Sequence, residues 1–131
     1  MSALSAGRFV RFHLPFLLWG ALAAVALLSP IDLVRDPHWP QWLAPLRPWA
    51  DKIVHGVLFF IMAVLGYRSL RTLPRLRWPL IVTAISVLAY SALLELLQSY
   101  SVVRRSELAD LTANAVGVLV FGVATWLAGR R

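Results

Sequence analysis

The stretch that decides the fold is Glu95–Gly117, ELLQSYSVVRRSELADLTANAVG. It leaves one apolar run and enters another. Between the two it sets Glu95, Gln98, Arg104, Arg105, Glu107, Asp110 and Asn114. Charged groups so close to the ends of lipid-facing helices are costly unless paired or wet, which makes them functional candidates.

Composition explains why lipid is the solvent to consider. The chain has 131 residues, of which 60% are hydrophobic and 15% charged, with a mean hydropathy of +0.71. A soluble domain carries about 25% charged residues. The length suits one domain, residues 1–131, but a small soluble core could not hide this much apolar surface. Having no cysteine excludes a disulfide framework, a thiolate metal site and a Cys nucleophile. The net charge of +7 and pI near 11.3 raise the question of nucleic acid. The arginines, however, fall in short clusters between apolar runs, as membrane flanks do, with no soluble recognition element beside them. No nucleic-acid partner is expected.

Outward from the opening stretch, the apolar runs mark four spans at about residues 12–28, 51–67, 78–97 and 110–128. The first follows a short basic N-terminus with Arg8 and Arg11. It reads as an uncleaved signal-anchor, because a cleavage site after Ala26-Leu27-Leu28 would lack small residues in the right places and Pro30 follows closely. Residues 29–50 form the longest connection. Pro30, Pro37, Pro40, Pro45 and Pro48 argue against a continuous helix there, and Trp39, Trp42 and Trp49 suit the headgroup level. No internal repeat is visible. The expected architecture is therefore all-α, with four transmembrane helices in an antiparallel bundle. Gly56, Ala63 and Gly66 in the second span, and Gly117 and Gly122 in the fourth, would allow close helix approach.

Arginine placement orients the bundle. With the N-terminus inside, Arg8, Arg11, Arg68, Arg71, Arg75, Arg77, Arg130 and Arg131 lie in the cytoplasm, while Arg35, Arg47, Lys52, Arg104 and Arg105 lie outside, eight against five. Both termini are then cytoplasmic. Asp51, Lys52 and His55 share the outer membrane level with Glu95, Gln98, Arg105, Asp110 and Asn114. Spacings of three and four residues put Asp51 with His55, Ser91 with Glu95 and Gln98, and Asp110 with Asn114 and Gly117 on common helix faces. The inner ends offer only arginines and a threonine, and His13 and His38 read as interfacial.

The ordered pattern Asp51-Lys52-x-x-His55, Glu95-x-x-Gln98 and Arg105-x4-Asp110-x3-Asn114-x2-Gly117 resembles the VanZ-like membrane proteins. The resemblance covers about residues 29–125. This chain departs from the family pattern at Ser99-Tyr100-Ser101-Val102-Val103, which lacks the aromatic-proline step. It departs again at Phe121, which stands where a glycine is expected, with Gly122 one step later. The resemblance implies a multi-pass protein of the bacterial inner (cytoplasmic) membrane with a role in the cell envelope, since the founding member is linked to teicoplanin resistance. It supplies no settled reaction.

From these residues the expected function is recognition or processing of an anionic envelope lipid or a lipid-linked cell-wall precursor. His55, Glu95 and Asp110 are the catalytic candidates, with His55 and Glu95 as the acid/base pair. Asp51, Lys52, Gln98, Arg105 and Asn114 are the substrate-binding candidates. Lys52 and Arg105 would hold phosphate or carboxylate, and Gln98 and Asn114 would help Asp110 orient the pair. The plainer alternative is a membrane scaffold whose His/Glu/Asp network only locks the bundle. In that account Asp51 and Asp110 are first-turn acids, Ser106 is an N-cap, Glu107 and Arg104 face water, and Gln98 and Asn114 glue helices together. His55, Glu95 and Asp110 are acceptable metal-ligand types, but without a His-x-x-x-His spacing no metal or other cofactor is expected. No nucleophile elbow, P-loop or dinucleotide fingerprint is present.

Overall fold

Three prolines mark where helices start. Pro15, Pro48 and Pro79 each stand in the first turn of a helix, where a missing N–H costs nothing and the fixed φ favours the turn. The computed structural model describes residues 3–29, 41–100 and 107–130. Its elements are α1 (Ala3–Phe12), α2 (Leu14–Leu28), a short 3-10 helix (Gln41–Leu46), α3 (Arg47–Leu70), α4 (Pro79–Ser99) and α5 (Leu108–Ala128). No strand occurs among the described residues.

Two boundaries correct the sequence reading. The second span does not begin at residue 51: α3 starts at Arg47, and the 3-10 helix Gln41–Leu46, with Pro45 inside it, leads into it. The later half of the proline-rich connection is thus helical, because its prolines sit at starts and in a tight 3-10 turn rather than within an α-helix. The earlier half, residues 30–40, lies outside the described residues. The first span is also not one straight helix. Residues 6–12 of α1 and α2 are bent by 41° at His13, where Pro15 cannot donate to the Arg11 carbonyl.

That bend changes the span count. Trp49–Leu70, Pro79–Ser99 and Leu108–Ala128 are each long and apolar enough to cross a membrane, three rather than the four expected. The α1–α2 pair passes only when taken together. Alone, the 15 residues of α2 rise about 22 Å, short of a hydrocarbon core of about 30 Å.

The helices are apolar outside and smaller or polar inside. Leu18, Val25, Ile85 and Leu119 are 61–68% exposed. The buried positions of the same helices include Gly20, Ala23, Ser91, Asn114 and Gly117. Lipid is as apolar as leucine, so in a bilayer such helices associate through close packing and hydrogen bonds instead of hydrophobic burial. Exposed tryptophans stand at both ends, Trp42 and Trp49 at one and Trp78 and Trp126 at the other, as in an aromatic belt.

Contacts fix the directions. α2 runs against α3: Trp19 Nε1 donates to the Leu58 carbonyl at 2.9 Å, and His13 Nδ1 meets Ser69 Oγ at 2.6 Å. α2 runs with α4, since Tyr90 Oη donates to the Gly20 carbonyl at 2.8 Å and Gln98 Nε2 to the Leu27 carbonyl at 2.6 Å. α3 and α5 run in the same direction and make the closest pair. A Cβ built on Gly117 would collide with the Gly56 carbonyl oxygen, so only glycine permits this approach. Further along the two helices Phe59, Val118 and Phe121 belong to the buried core, all at most 5% exposed. Phe121, which replaces the glycine of the resembled pattern, packs edge-on against Tyr67 and Phe60 with centroids 5.6 and 6.5 Å away. Gly122 has open space where its Cβ would be. It is not a packing glycine, contrary to expectation.

Candidate functional site

Because α3 and α5 start at one end of the bundle and α4 finishes there, their polar residues meet. Asp51, Lys52 and His55 come from the early turns of α3, Glu95 from near the end of α4, and Asp110 and Asn114 from the first two turns of α5. Lys52 is the hub. Its Nζ donates to Asp110 Oδ1 and, at 2.8 Å, to Glu107 Oε2, and lies 3.7 Å from Asp51 Oδ2. Asp110 is 4% exposed, so its carboxylate needs such a partner.

Beneath Lys52 lies His55, 1% exposed. Its Nδ1 is 3.0 Å from Asn114 Oδ1 and 3.6 Å from Glu95 Oε1. A carbonyl oxygen only accepts, so it is Nδ1 that donates in this contact. One ligand-type atom on each of Asp51, His55 and Asp110 lies within 4.8 Å of the others. Around them stands a set of orphans. Ser91 Oγ, both Glu95 carboxylate oxygens and Asn114 Nδ2 are buried without a hydrogen-bond partner among the described residues. An unsatisfied buried carboxylate is costly, and here it faces a histidine.

The arrangement gathers Asp51, Lys52, His55, Glu95, Asp110 and Asn114. It leaves Gln98 apart, because Gln98 caps the end of α2 through the Leu27 carbonyl. Near a helix end such carbonyls lack intrahelical donors. Arg104, Arg105 and Ser106 lie outside the described residues. Two of the plainer assignments are corrected. Asp51 is past the first turn of α3, and α5 is N-capped at Glu107, which makes no capping bond. Glu107 is exposed, as that account had it, and is also bonded to Lys52.

Sequence reasoning also missed a polar cluster at the opposite end. Thr72 Oγ1 donates its one proton to the Ser69 carbonyl at 2.7 Å, so at its 3.3 Å contact with His13 Nε2 it accepts. His13 Nδ1 is then the acceptor for the Ser69 hydroxyl. The polar chemistry is not confined to one end. No periodic signal linked His13 to hydroxyls 56 and 59 residues away.

Beside the first cluster, α3 and α5 form a groove of about 560 Å³, lined by apolar side chains including Ile53, Val57, Phe60, Val116 and Val120. Lys52 and Trp49 line its polar end. His55, Glu95 and Asn114 do not line it.

No family model, curated protein or solved structure matches this chain.

Proposed function

We propose that the chain is a VanZ-like protein of the bacterial inner membrane that recognises an anionic envelope lipid or a lipid-linked precursor. In this reading the bent α1–α2 pair counts as one span, giving a four-helix antiparallel bundle with both termini in the cytoplasm. The excess of arginine in residues 68–77 and at the termini supports that orientation. The polar cluster then faces the outer leaflet.

One observation carries the reading: Lys52 belongs both to the polar cluster and to the wall of the apolar groove. An acyl or isoprenoid chain in the groove would bring its phosphate to Lys52, with Arg105 as the planar second donor. His55 and Glu95 are buried and off the groove, which supports recognition rather than turnover. They hold the helices that present Lys52.

The test is retention of lipid by purified protein in native mass spectrometry, comparing phosphatidylglycerol and a polyprenyl phosphate with phosphatidylcholine. Val116→Trp, which fills the groove, should lower retention of all three. Lys52→Ala and Arg105→Lys should lower retention of the phosphate monoester and the anionic lipid only, while Arg104→Lys should not. Equal, small effects of the two arginine substitutions, together with unchanged binding by folded Lys52→Ala, would leave the scaffold account standing instead.

A further inference from the structure

We propose that Asp51, His55 and Asp110 form a binding site for a divalent transition-metal ion of the Zn²⁺ or Mn²⁺ type. The inference stands independently of the lipid reading, because it concerns the ion alone. The first support is geometric. The three donor atoms lie within 4.8 Å of one another. Ligands about 2.1 Å from a shared tetrahedral ion stand about 3.5 Å apart, so small side-chain rotations close the set. Asp51 and His55 are four residues apart on α3, and Asp110 opens α5. The close approach of Gly56 and Gly117 fixes the two backbones against each other just below.

The second support is the state of His55. Its Nδ1 proton is directed at Asn114 Oδ1, with Glu95 Oε1 at 3.6 Å. Histidines that ligate through one nitrogen commonly give the other N–H to a carbonyl or carboxylate, which fixes ring and tautomer. Here the Asn114 carbonyl is in place as that partner, with the Glu95 carboxylate behind it.

The third support is Glu95. It is 8% exposed, its oxygens meet no hydrogen-bond geometry among the described residues, and Oε1 lies 3.6 Å from His55 Nδ1. A buried carboxylate left like this is unfavourable by itself. A cation on the far side of the imidazole polarises Nδ1–H and stabilises that carboxylate.

Chemistry narrows the ion. Two carboxylates with one imidazole, in a chain without cysteine, disfavour soft ions and suit Zn²⁺ or Mn²⁺. Three protein ligands leave a position open. The sequence reading weighed His55 with Glu95 and Asp110 and expected no metal, for want of a His-x-x-x-His spacing. The spatial set instead takes Asp51 as ligand and leaves Glu95 behind the histidine.

Lys52 gives the proposal a distinctive signature. Its ammonium bonds Asp110 and lies 3.7 Å from Asp51, so it competes with the ion for the same carboxylates. The experiment uses the full chain in detergent, stripped with chelator and titrated with Zn²⁺ or Mn²⁺ alone. One ion should bind per chain. His55→Ala and Asp110→Asn should weaken binding at least about tenfold, and Glu95→Gln less, through the orientation of His55. Lys52→Gln should tighten binding several-fold, whereas His13→Ala, at the other end, should leave it unchanged. Since some variants could fail to fold, pulsed EPR of Mn²⁺-loaded unsubstituted protein supplies a second readout, with imidazole ¹⁴N coupling expected. Substoichiometric binding, absence of nitrogen coupling, or weaker binding by folded Lys52→Gln would overturn the site.

Discussion

Gly117 carries its role through what it lacks. Its Cα faces the Gly56 carbonyl so closely that a methyl group would overlap it, whereas Gly122, five residues on, faces nothing within 4 Å. Alanine at both positions therefore separates packing from helix propensity. Gly117→Ala is expected to destabilise the protein by about 1–3 kcal/mol, the cost of overpacking a site that backbone must yield. Gly122→Ala should be neutral or stabilising by up to about 1 kcal/mol, since only propensity changes. Thermal unfolding in detergent compares them, and equal effects would mean that α3 and α5 do not meet through these residues. At this scale the sequence was a partial guide. Spacing of three and four put Asp51 with His55 and Asp110 with Asn114 on shared faces, and both pairs meet in the cluster. Gln98 does join two helices, as the plainer account had it, but the sequence could not name its partner, a backbone carbonyl at the end of α2. Such acceptors arise from where a helix stops and leave no mark in residue type.

Among the elements, α2 is tied to α3 and α4 by side-chain hydrogen bonds. It is too short to cross a membrane alone, and at its bend His13 is held by Ser69 in the last turn of α3 and Thr72 just beyond it. Ser69→Ala removes the donor to His13 Nδ1 while keeping helix propensity. The expected loss is about 1 kcal/mol, typical of one hydrogen bond, together with a larger mobility of α1 relative to α3. Spin labels at Gly7 and Leu73 would report it as a broadened distance distribution, and an unchanged distribution would show that the bend is set by Pro15 alone. The helix types were legible because each apolar run is long. The break in the first was not, since its cause is one missing donor at Pro15 and its stabilising partners lie on α3. The start of α3 at Arg47 was hidden for a related reason: prolines were read as barriers, yet in a first turn they are compatible with helix.

For the whole molecule, the level at which the polar groups meet followed from alternating spans, and for Lys52, His55, Glu95, Asp110 and Asn114 the structure brings them to one end of the bundle. Orientation across the membrane rests on arginine counts, and a chain without cysteine offers a clean background for testing it. Leu73 and Tyr100 are both exposed and lie at opposite ends of the bundle. With single cysteines at these positions, an impermeant thiol reagent should label Tyr100→Cys in intact cells and Leu73→Cys only after permeabilisation. The reverse pattern would invert the bundle. The pairing of α3 with α5 also has a consequence in time. The chain is made from its N-terminus, so α3 is synthesised well before residues 107–117, which supply Glu107 and Asp110 for Lys52, Asn114 for His55, and the glycine that receives Gly56. For that interval Lys52 has only Asp51 of its cluster partners beside it and His55 only Glu95, and α5 is the piece that completes the cluster.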